Sequence, residues 1–281
     1  MKSSEENTVQ LSPIISIVMP TYNTSLGYLK DSIESVLHQT FVDFELLVID
    51  DGSTEREGIE WIKTLKDSRI RLIHNSHDFI NSLNKGIKES QGKYIARMDA
   101  DDIMMPNRLQ VQYNFMEEHL EIDVCGSWMD TFGYNTNTVR LYTKHKDIVA
   151  SLLLYNAMAH PTVMLRKASV CNDKIELYKK NYDYAEDYKL WTDLAIKGLK
   201  FVNLPEVLMK YRSWEKQITN TMQKEMMQSS LKIRFEYAET TIEKLVEREK
   251  QYESFFRELV RLCNDQLISI DTFFKIVNNF L

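Results

Sequence analysis

Residues 14–102 alternate short β-branched runs with stretches of helical spacing, and three of the apolar runs stop at a cluster of polar or acidic residues. Ile14-Ile15-Ser16-Ile17-Val18-Met19 ends at Pro20-Thr21-Tyr22-Asn23, Phe44–Ile49 ends at Asp50-Asp51-Gly52-Ser53, and Tyr94–Met98 ends at Asp99-Ala100-Asp101-Asp102. Between them, Tyr28–Leu37, the set Ile59, Ile62 and Leu65, and Ile80–Ile87 carry apolar residues three and four apart, while Ile70–Ile73 is a brief strand. Strand–helix–strand repetition builds right-handed crossovers and a parallel sheet covered on both faces. The pattern predicts that Ile14–Met19, Phe44–Ile49, Ile70–Ile73 and Tyr94–Met98 share one sheet. Ligands of such sheets bind outside the carboxyl ends of the strands. Three segments distant in sequence are therefore expected to converge on one crevice.

Beyond Pro106 a helix is expected over Arg108–Glu118 and a strand over Val124–Phe132. Residues 143–211 mix short elements and carry His160-Pro161 and Glu186-Asp187. From about Met222 the character changes. Leu231, Phe235, Ala238, Ile242 and Leu245, then Phe255, Phe256, Leu259 and Leu262, recur at helical spacing, and no proline follows Pro205. This reads as an α/β unit over residues 11–215 with a helical C-terminal extension over 216–281. Basic and acidic residues nearly balance in the extension, which favours packing on the domain or a homodimer through its helices over a lipid anchor.

Composition closes off several classes. A hydrophobic fraction of 43% supports a sizeable core, and a net charge of -6 argues against nucleic acid as a partner. Cys125, Cys171 and Cys263 are odd in number and form no zinc spacing, so they read as reduced core thiols of a cytoplasmic protein. Met1–Gln10 has neither a basic nor an apolar signal region, and no apolar run approaches the roughly 20 residues of a membrane span. The expectation is a soluble protein with at most a peripheral membrane contact. P-loop, dinucleotide, nucleophile-elbow and zinc-protease motifs are all absent.

The acid run Asp99-Ala100-Asp101-Asp102 carries the most chemistry. Carboxylates crowded at the end of a buried strand repel one another unless something compensates. Mg²⁺ or Mn²⁺ binds through one or two carboxylates together with substrate phosphates. A solvated acidic loop is the alternative, and Arg97 before the run with Pro106-Asn107-Arg108-Leu109 after it favours the metal. Asp51 could accept a hydrogen bond from a nucleobase imide; equally, Ser53 or Thr54 with Glu57 could form a helix capping box. Tyr22 could stack on a base or simply pack. Glu186-Asp187 opens an amphipathic segment and suits either helix-start chemistry or a general base. His160 reads as structural or as support behind the site.

The ordered set Pro20-Thr21-Tyr22-Asn23, Asp50-Asp51-Gly52-Ser53, Ala96-Arg97-Met98-Asp99-Ala100-Asp101-Asp102, Pro106-Asn107-Arg108-Leu109, His160-Pro161 and Glu186-Asp187-Tyr188-Lys189-Leu190-Trp191 resembles the bacterial family-two inverting glycosyltransferases of the GT-A fold, over about Ile14 to Arg212. The resemblance implies a Rossmann-like, mainly parallel mixed sheet, with residues 11–102 as the nucleotide-binding half and 103–215 as the acceptor and catalytic half. It implies that Pro20, Thr21 and Tyr22 line a nucleoside pocket, that Asp51 holds the uracil edge, and that Asp99 lies by the ribose or donor sugar with Arg97 beside it. Asp101, with Asp99, would hold Mn²⁺ or Mg²⁺, Asp187 would be the catalytic base, and Glu186 would position donor or acceptor. The implied activity moves a sugar from a UDP-sugar to a saccharide or lipid-linked acceptor in bacterial surface polysaccharide synthesis, in the cytoplasm or at the inner face of the membrane. Two departures stand out. Asn81-Ser82-Leu83-Asn84 lacks an arginine that many relatives carry, leaving Lys85, Arg97 or Arg108 to supply charge, and Tyr211-Arg212-Ser213-Trp214 lacks the usual following histidine. A metal-dependent phosphohydrolase and a non-catalytic nucleotide- or metal-binding module are the competing readings.

Overall fold

The computed structural model describes residues 12–171, 176–214, 221–248 and 253–277. The expected unit boundaries at 11 and at 215/216 lie outside the described residues. The chain runs β1 (Ile15–Thr21), α1 (Leu26–Leu37), β2 (Phe44–Asp50), α2 (Glu57–Thr64), β3 (Ile70–His74), α3 (Phe79–Glu89), β4 (Tyr94–Arg97), β5 (Ile103–Met104) and α4 (Arg108–Glu118). It continues through β6 (Val124–Gly133), β7 (Asn137–Val139), α5 (His145–Ser151), β8 (Met164–Arg166), α6 (Lys167–Val170), α7 (Glu186–Ile196) and β9 (Phe201–Ser213). Three helices follow, α8 (Gln223–Arg248), α9 (Glu253–Asn264) and α10 (Ile270–Val277).

The strands form one mixed sheet in the order β3-β2-β1-β4-β8-β6-β9-β5, with β7 on β6. The four expected strands form one continuous parallel run in it, with β1 between β2 and β4. Their sequences explain why. All seven residues of β1 and of β2 are buried, so neither face can be left to water. Ile15, Ile17 and Met19 join Leu29, Ile33 and Val36 of α1 in one core layer, while Val18 joins Leu83 of α3 in the other. The α3 side packs closely: a Cβ at Gly86 would sit 2.4 Å from Val18 Cγ1.

The far half is less regular. β4 pairs antiparallel with β8, and β6 runs parallel to β9. The long β9 contains Pro205, which has no N–H for a ladder. The β6–β9 register jumps there, Ser127 facing Leu204 and Trp128 facing Val207, so the proline sits in a bulge. The C-terminal helices lie on the α3 and α7 side. Ile233, Tyr237, Ala238 and Ile242 of α8, Phe256 and Leu259 of α9, and Phe273, Phe274 and Val277 of α10 are buried in that same core layer. No helix among the described residues is long and apolar enough to cross a membrane. Cys125 is buried, and Cys171 and Cys263 are half-buried.

Candidate active site

β1 lies between β2, to which α1 connects it, and β4, which the chain reaches from β3 through α3; the strand order reverses there, and crevices of open α/β sheets form at such a switch point. The ends of β1, β2 and β4 carry the three polar segments and are cross-linked. Asp51 N–H donates to the Thr21 carbonyl at 2.9 Å, Met98 N–H to the Val18 carbonyl at 3.1 Å, and Ser32 Oγ–H of α1 to the Asp99 carbonyl at 3.1 Å.

Pro20 and Thr21 are buried where β1 ends, and Tyr22 emerges 44% exposed. Asn23 follows with φ 49°, a left-handed conformation that asparagine tolerates. Its side-chain oxygen accepts from the backbone N–H of Thr54 at 2.9 Å and of Glu55 at 3.0 Å, stitching the β1 loop to the β2 loop. The capping box anticipated for Thr54 and Glu57 does not form. α2 starts at Glu57 behind Arg56 with no side-chain cap, because Asn23 has taken the Thr54 and Glu55 N–H groups.

The two adjacent aspartates divide their labour. Burial works to raise the Asp50 pKa, but hydrogen bonds from the Ser53 backbone and side chain and from His74 outweigh it and hold the carboxyl below its ordinary value. Asp50 Oδ1 accepts from Ser53 N–H at 2.9 Å, and Oδ2 faces His74 Nδ1 at 2.9 Å. Asp51 instead reaches across to the loop before α3. Its Oδ1 accepts from Ser82 Oγ–H at 2.6 Å and Asp78 N–H at 2.8 Å, and its Oδ2 meets His77 Nδ1 at 3.1 Å. His77 also stacks on Tyr22, with ring centroids 4.0 Å apart. Gly52 makes this close approach feasible. It has φ +75°, and a Cβ there would lie 2.9 Å from the His77 backbone nitrogen.

At the end of β4 the Arg97 guanidinium is buried and ion-paired to Asp99, while its Nε has no hydrogen-bond partner. Burial raises the pKa of Asp101 to about 6, the Asp99 charge adds to this, and Asp102 is raised well above its ordinary value for the same reasons. Asp102 Oδ1 accepts from Arg212 N–H at 2.8 Å, and its buried Oδ2 has no partner. Arg212 also donates from Nε to the Asp101 carbonyl at 2.7 Å and from Nη2 to Asp31 at 2.9 Å, and its guanidinium lies over Tyr28 and Phe132. β9 thus clamps the acidic loop from one side. Of the basic candidates, Arg97 faces the acid cluster. Arg108 is buried behind it, donating to the Arg97 and Val163 carbonyls at 3.0 and 3.2 Å, and Lys85 caps the His74 carbonyl at 2.6 Å.

Among the described residues no three His, Cys, Asp or Glu converge as a complete metal cage. Mg²⁺ and Mn²⁺ do not need one when substrate phosphates complete the shell. The orphaned Asp102 Oδ2 and the mutual repulsion of Asp99, Asp101 and Asp102 are what an oxygen-seeking cation would relieve, so the donor set fits such an ion.

Glu186 and Asp187 form the first turn of α7. Burial pushes Glu186 up to about 7 and the neighbouring Asp187 charge adds to this, while Arg97 opposes it. Burial also raises Asp187, against hydrogen bonds from Asn156 and the Tyr188 backbone and the charge of Arg97. Asn156 Nδ2–H donates to Asp187 Oδ2 at 2.7 Å, and Tyr188 N–H to Oδ1 at 2.7 Å. His160 and Tyr178 lie beneath, joined at 2.7 Å between Nε2 and the phenol oxygen. Burial and the Arg97 charge keep His160 well below its ordinary pKa, hence neutral. The Arg97 charge is thus felt by Asp102, Glu186, Asp187, His160 and Tyr178 as well as Asp99. Asn156, Tyr178, His77 and Arg212 were not among the candidates the sequence singled out. No motif surrounds the first three, and their partners lie 18 to 94 positions away.

The acidic run after β4 and the carboxylate pair opening α7, both within the field of Arg97, belong to a chain with recognisable relatives. Residues 16–174 match the family described as Glycosyl transferase family 2. A glycosyltransferase of Haemophilus influenzae is 34% identical over 239 residues, covering 80% of this chain and 73% of that one. The O-antigen biosynthesis glycosyltransferase WbnJ of Escherichia coli is 29% identical over 212 residues, covering 73% and 82% respectively. Among solved structures, S. aureus TarS 1-349 in complex with UDP-GlcNAc superposes with a TM-score of 0.64 at 18% identity, covering 83% of this chain and 71% of that one. Against a longer TarS chain the TM-score is 0.62 and this chain spans 43% of it, so the likeness is one of fold. With a family match over more than half its length and the fold to accompany it, the chain is a member of glycosyl transferase family 2, a glycosyltransferase built on the GT-A fold.

Proposed function

We propose that this glycosyltransferase moves a sugar from a UDP-sugar to a hydroxyl of a saccharide or lipid-linked acceptor with inversion at the anomeric carbon. The observation that carries the reading is the convergence of two carboxylate groups on one buried guanidinium. Asp99 pairs with Arg97, and the Arg97 charge also acts on Asp101, Asp102, Glu186 and Asp187. UDP is favoured because the fold neighbour TarS was solved with UDP and with UDP-GlcNAc, and because Tyr22 and Asp51 offer a stacking face and an acceptor for an imide N–H. A surface-polysaccharide acceptor follows from the name of the WbnJ relative. The proposed setting is the cytoplasm, at the inner membrane face where the acceptor is lipid-linked. Membership of this family leaves the phosphohydrolase and the non-catalytic module without support.

In this reading Pro20, Thr21, Tyr22 and Asp51 hold the nucleoside. Asp101 and Asp99 would hold Mn²⁺ or Mg²⁺, which when bound neutralises charge on the diphosphate. Asp187, held in one orientation by Asn156, takes the proton of the acceptor hydroxyl. The hydroxyl oxygen then forms its bond to the anomeric carbon as the bond from that carbon to the diphosphate oxygen breaks on the opposite face. Glu186, pushed up to about 7, is placed to hold a proton beside Asp187 so that the pair carries one negative charge rather than two near neutrality. Arg97 fixes Asp99, which lies against the donor. Calorimetric titration of UDP with and without Mn²⁺ is the test: wild-type chain is expected to bind UDP more tightly with the metal, and Asp101→Ala to lose that increment. Equal metal enhancement in the variant would remove Asp101 from the metal site.

A further inference from the structure

Tyr22 and Asp51, the two groups expected to hold the uracil, are both engaged by a single side chain of the protein. The His77 imidazole stacks on Tyr22 with centroids 4.0 Å apart and planes inclined by 23°, and its Nδ1 lies 3.1 Å from Asp51 Oδ2 and 3.1 Å from the Asp51 carbonyl. Both of those atoms are acceptors, so Nδ1 carries the hydrogen and donates. A planar aromatic ring with one edge N–H, stacked on Tyr22 and donating to Asp51, reproduces the two interactions that a uracil makes through its face and its N3–H. We infer that His77 is a built-in surrogate for the base, seated in the nucleoside pocket until the donor nucleotide displaces it. The inference rests on the nucleotide-sugar reading and deepens it.

The surroundings separate a movable ring from a fixed backbone. The backbone of the loop cannot follow the ring: Asp78 N–H is held by Asp51 Oδ1 at 2.8 Å, and the His77 backbone lies against Gly52, where a Cβ would come within 2.9 Å of its nitrogen. The side chain is 61% exposed, and rotation of an exposed side chain is rapid. Displacement therefore needs only rotation about the side-chain bonds of one residue. Asp51 is 2% exposed, so it needs a donor at Oδ2 in either state. The ring supplies one in the free protein and a base with an imide N–H supplies one in the complex. Cytosine presents an acceptor at N3 and cannot donate to Asp51 from that ring position, so the exchange favours uracil over cytosine.

A competing internal ligand lowers apparent affinity by the fraction of molecules in which the pocket is filled. Removing it should tighten binding. Titration of the full-length wild-type, His77→Ala and His77→Phe chains with UDP in the presence of Mn²⁺ reads this directly. His77→Ala is expected to bind UDP about three- to tenfold more tightly than wild type, and His77→Phe, which keeps a ring but no N–H, to fall between. In the wild-type chain, the His77 ring proton resonances should leave the shielding of Tyr22 when UDP is added. Equal or weaker binding by His77→Ala, with wild type binding normally, overturns the inference while leaving the UDP reading intact. Binding of UDP by none of the three chains overturns the UDP reading itself.

Discussion

Asn156→Ala tests how the base is prepared. The 2.7 Å hydrogen bond from Asn156 Nδ2 to Asp187 Oδ2 involves a charged acceptor and lies on a carboxyl that burial already pushes toward protonation. Hydrogen bonds to charged groups are worth about 1.5–3 kcal/mol. Removing this one takes that support from the ionised form alone, so the Asp187 pKa rises. As the proposed base, Asp187 can take a proton only when ionised. The acid limb of the kcat profile must therefore move to higher pH, and below that limb the rate should fall roughly ten- to hundredfold, since each 1.36 kcal/mol is a factor of ten. Much of the loss should be regained in alkaline buffer, where Asp187 is ionised with or without its partner. The assay is release of UDP from donor and acceptor across a pH series, with donor KM followed in parallel. A uniform loss of kcat at every pH, with the limb unmoved, would refute the electrostatic account and reduce Asn156 to a scaffolding residue.

Asp187→Asn removes the proton acceptor but keeps the shape. It should abolish transfer while calorimetric UDP affinity stays within about twofold of wild type, since the groups proposed to hold the nucleoside and diphosphate are on other elements. Loss of UDP binding there would count against the base assignment. Gly52→Ala imposes a Cβ on a φ of +75° and on the His77 backbone 2.9 Å away. It should cost about 1–3 kcal/mol of stability by urea denaturation, and an unchanged midpoint would contradict the close approach.

The parallel half of the fold was legible because its signal is local. β1, β2 and β4 are short apolar runs that stop at polar or acidic residues, and α4 begins and ends where its spacing predicts, at Arg108 and Glu118. β8 is only Met164–Arg166, too short for any period to show. β9 passes through Leu204-Pro205-Glu206, which reads as a loop and is a bulge only because β6 tolerates the slipped register. The same divide runs through the site. Asp51, Asp99, Asp101, Glu186 and Asp187 announce themselves as adjacent charges beside apolar runs. Asn156 and His77 are ordinary polar residues in loops, and their importance comes from partners 31 and 26 positions distant. The helix capping anticipated at Thr54 failed for a related reason: Asn23, 31 residues earlier, competes for the same N–H.

α8 reaches the helix that bears Glu186 and Asp187. Lys189 of α7 extends its Nζ to Asp193 at 3.0 Å and to Glu236 of α8 at 2.9 Å, and the Tyr182 hydroxyl donates to the same Glu236 at 2.9 Å. The loop entering α7 and the helix itself are thereby tethered to one carboxylate from the chain's last hundred residues. If Asp187 is the proton acceptor, as proposed, the packing of α8 and the aim of that carboxylate are coupled through Glu236. A lesion in α8 far from any ligand would show itself as a poorly aimed base before it showed itself as an unfolded protein.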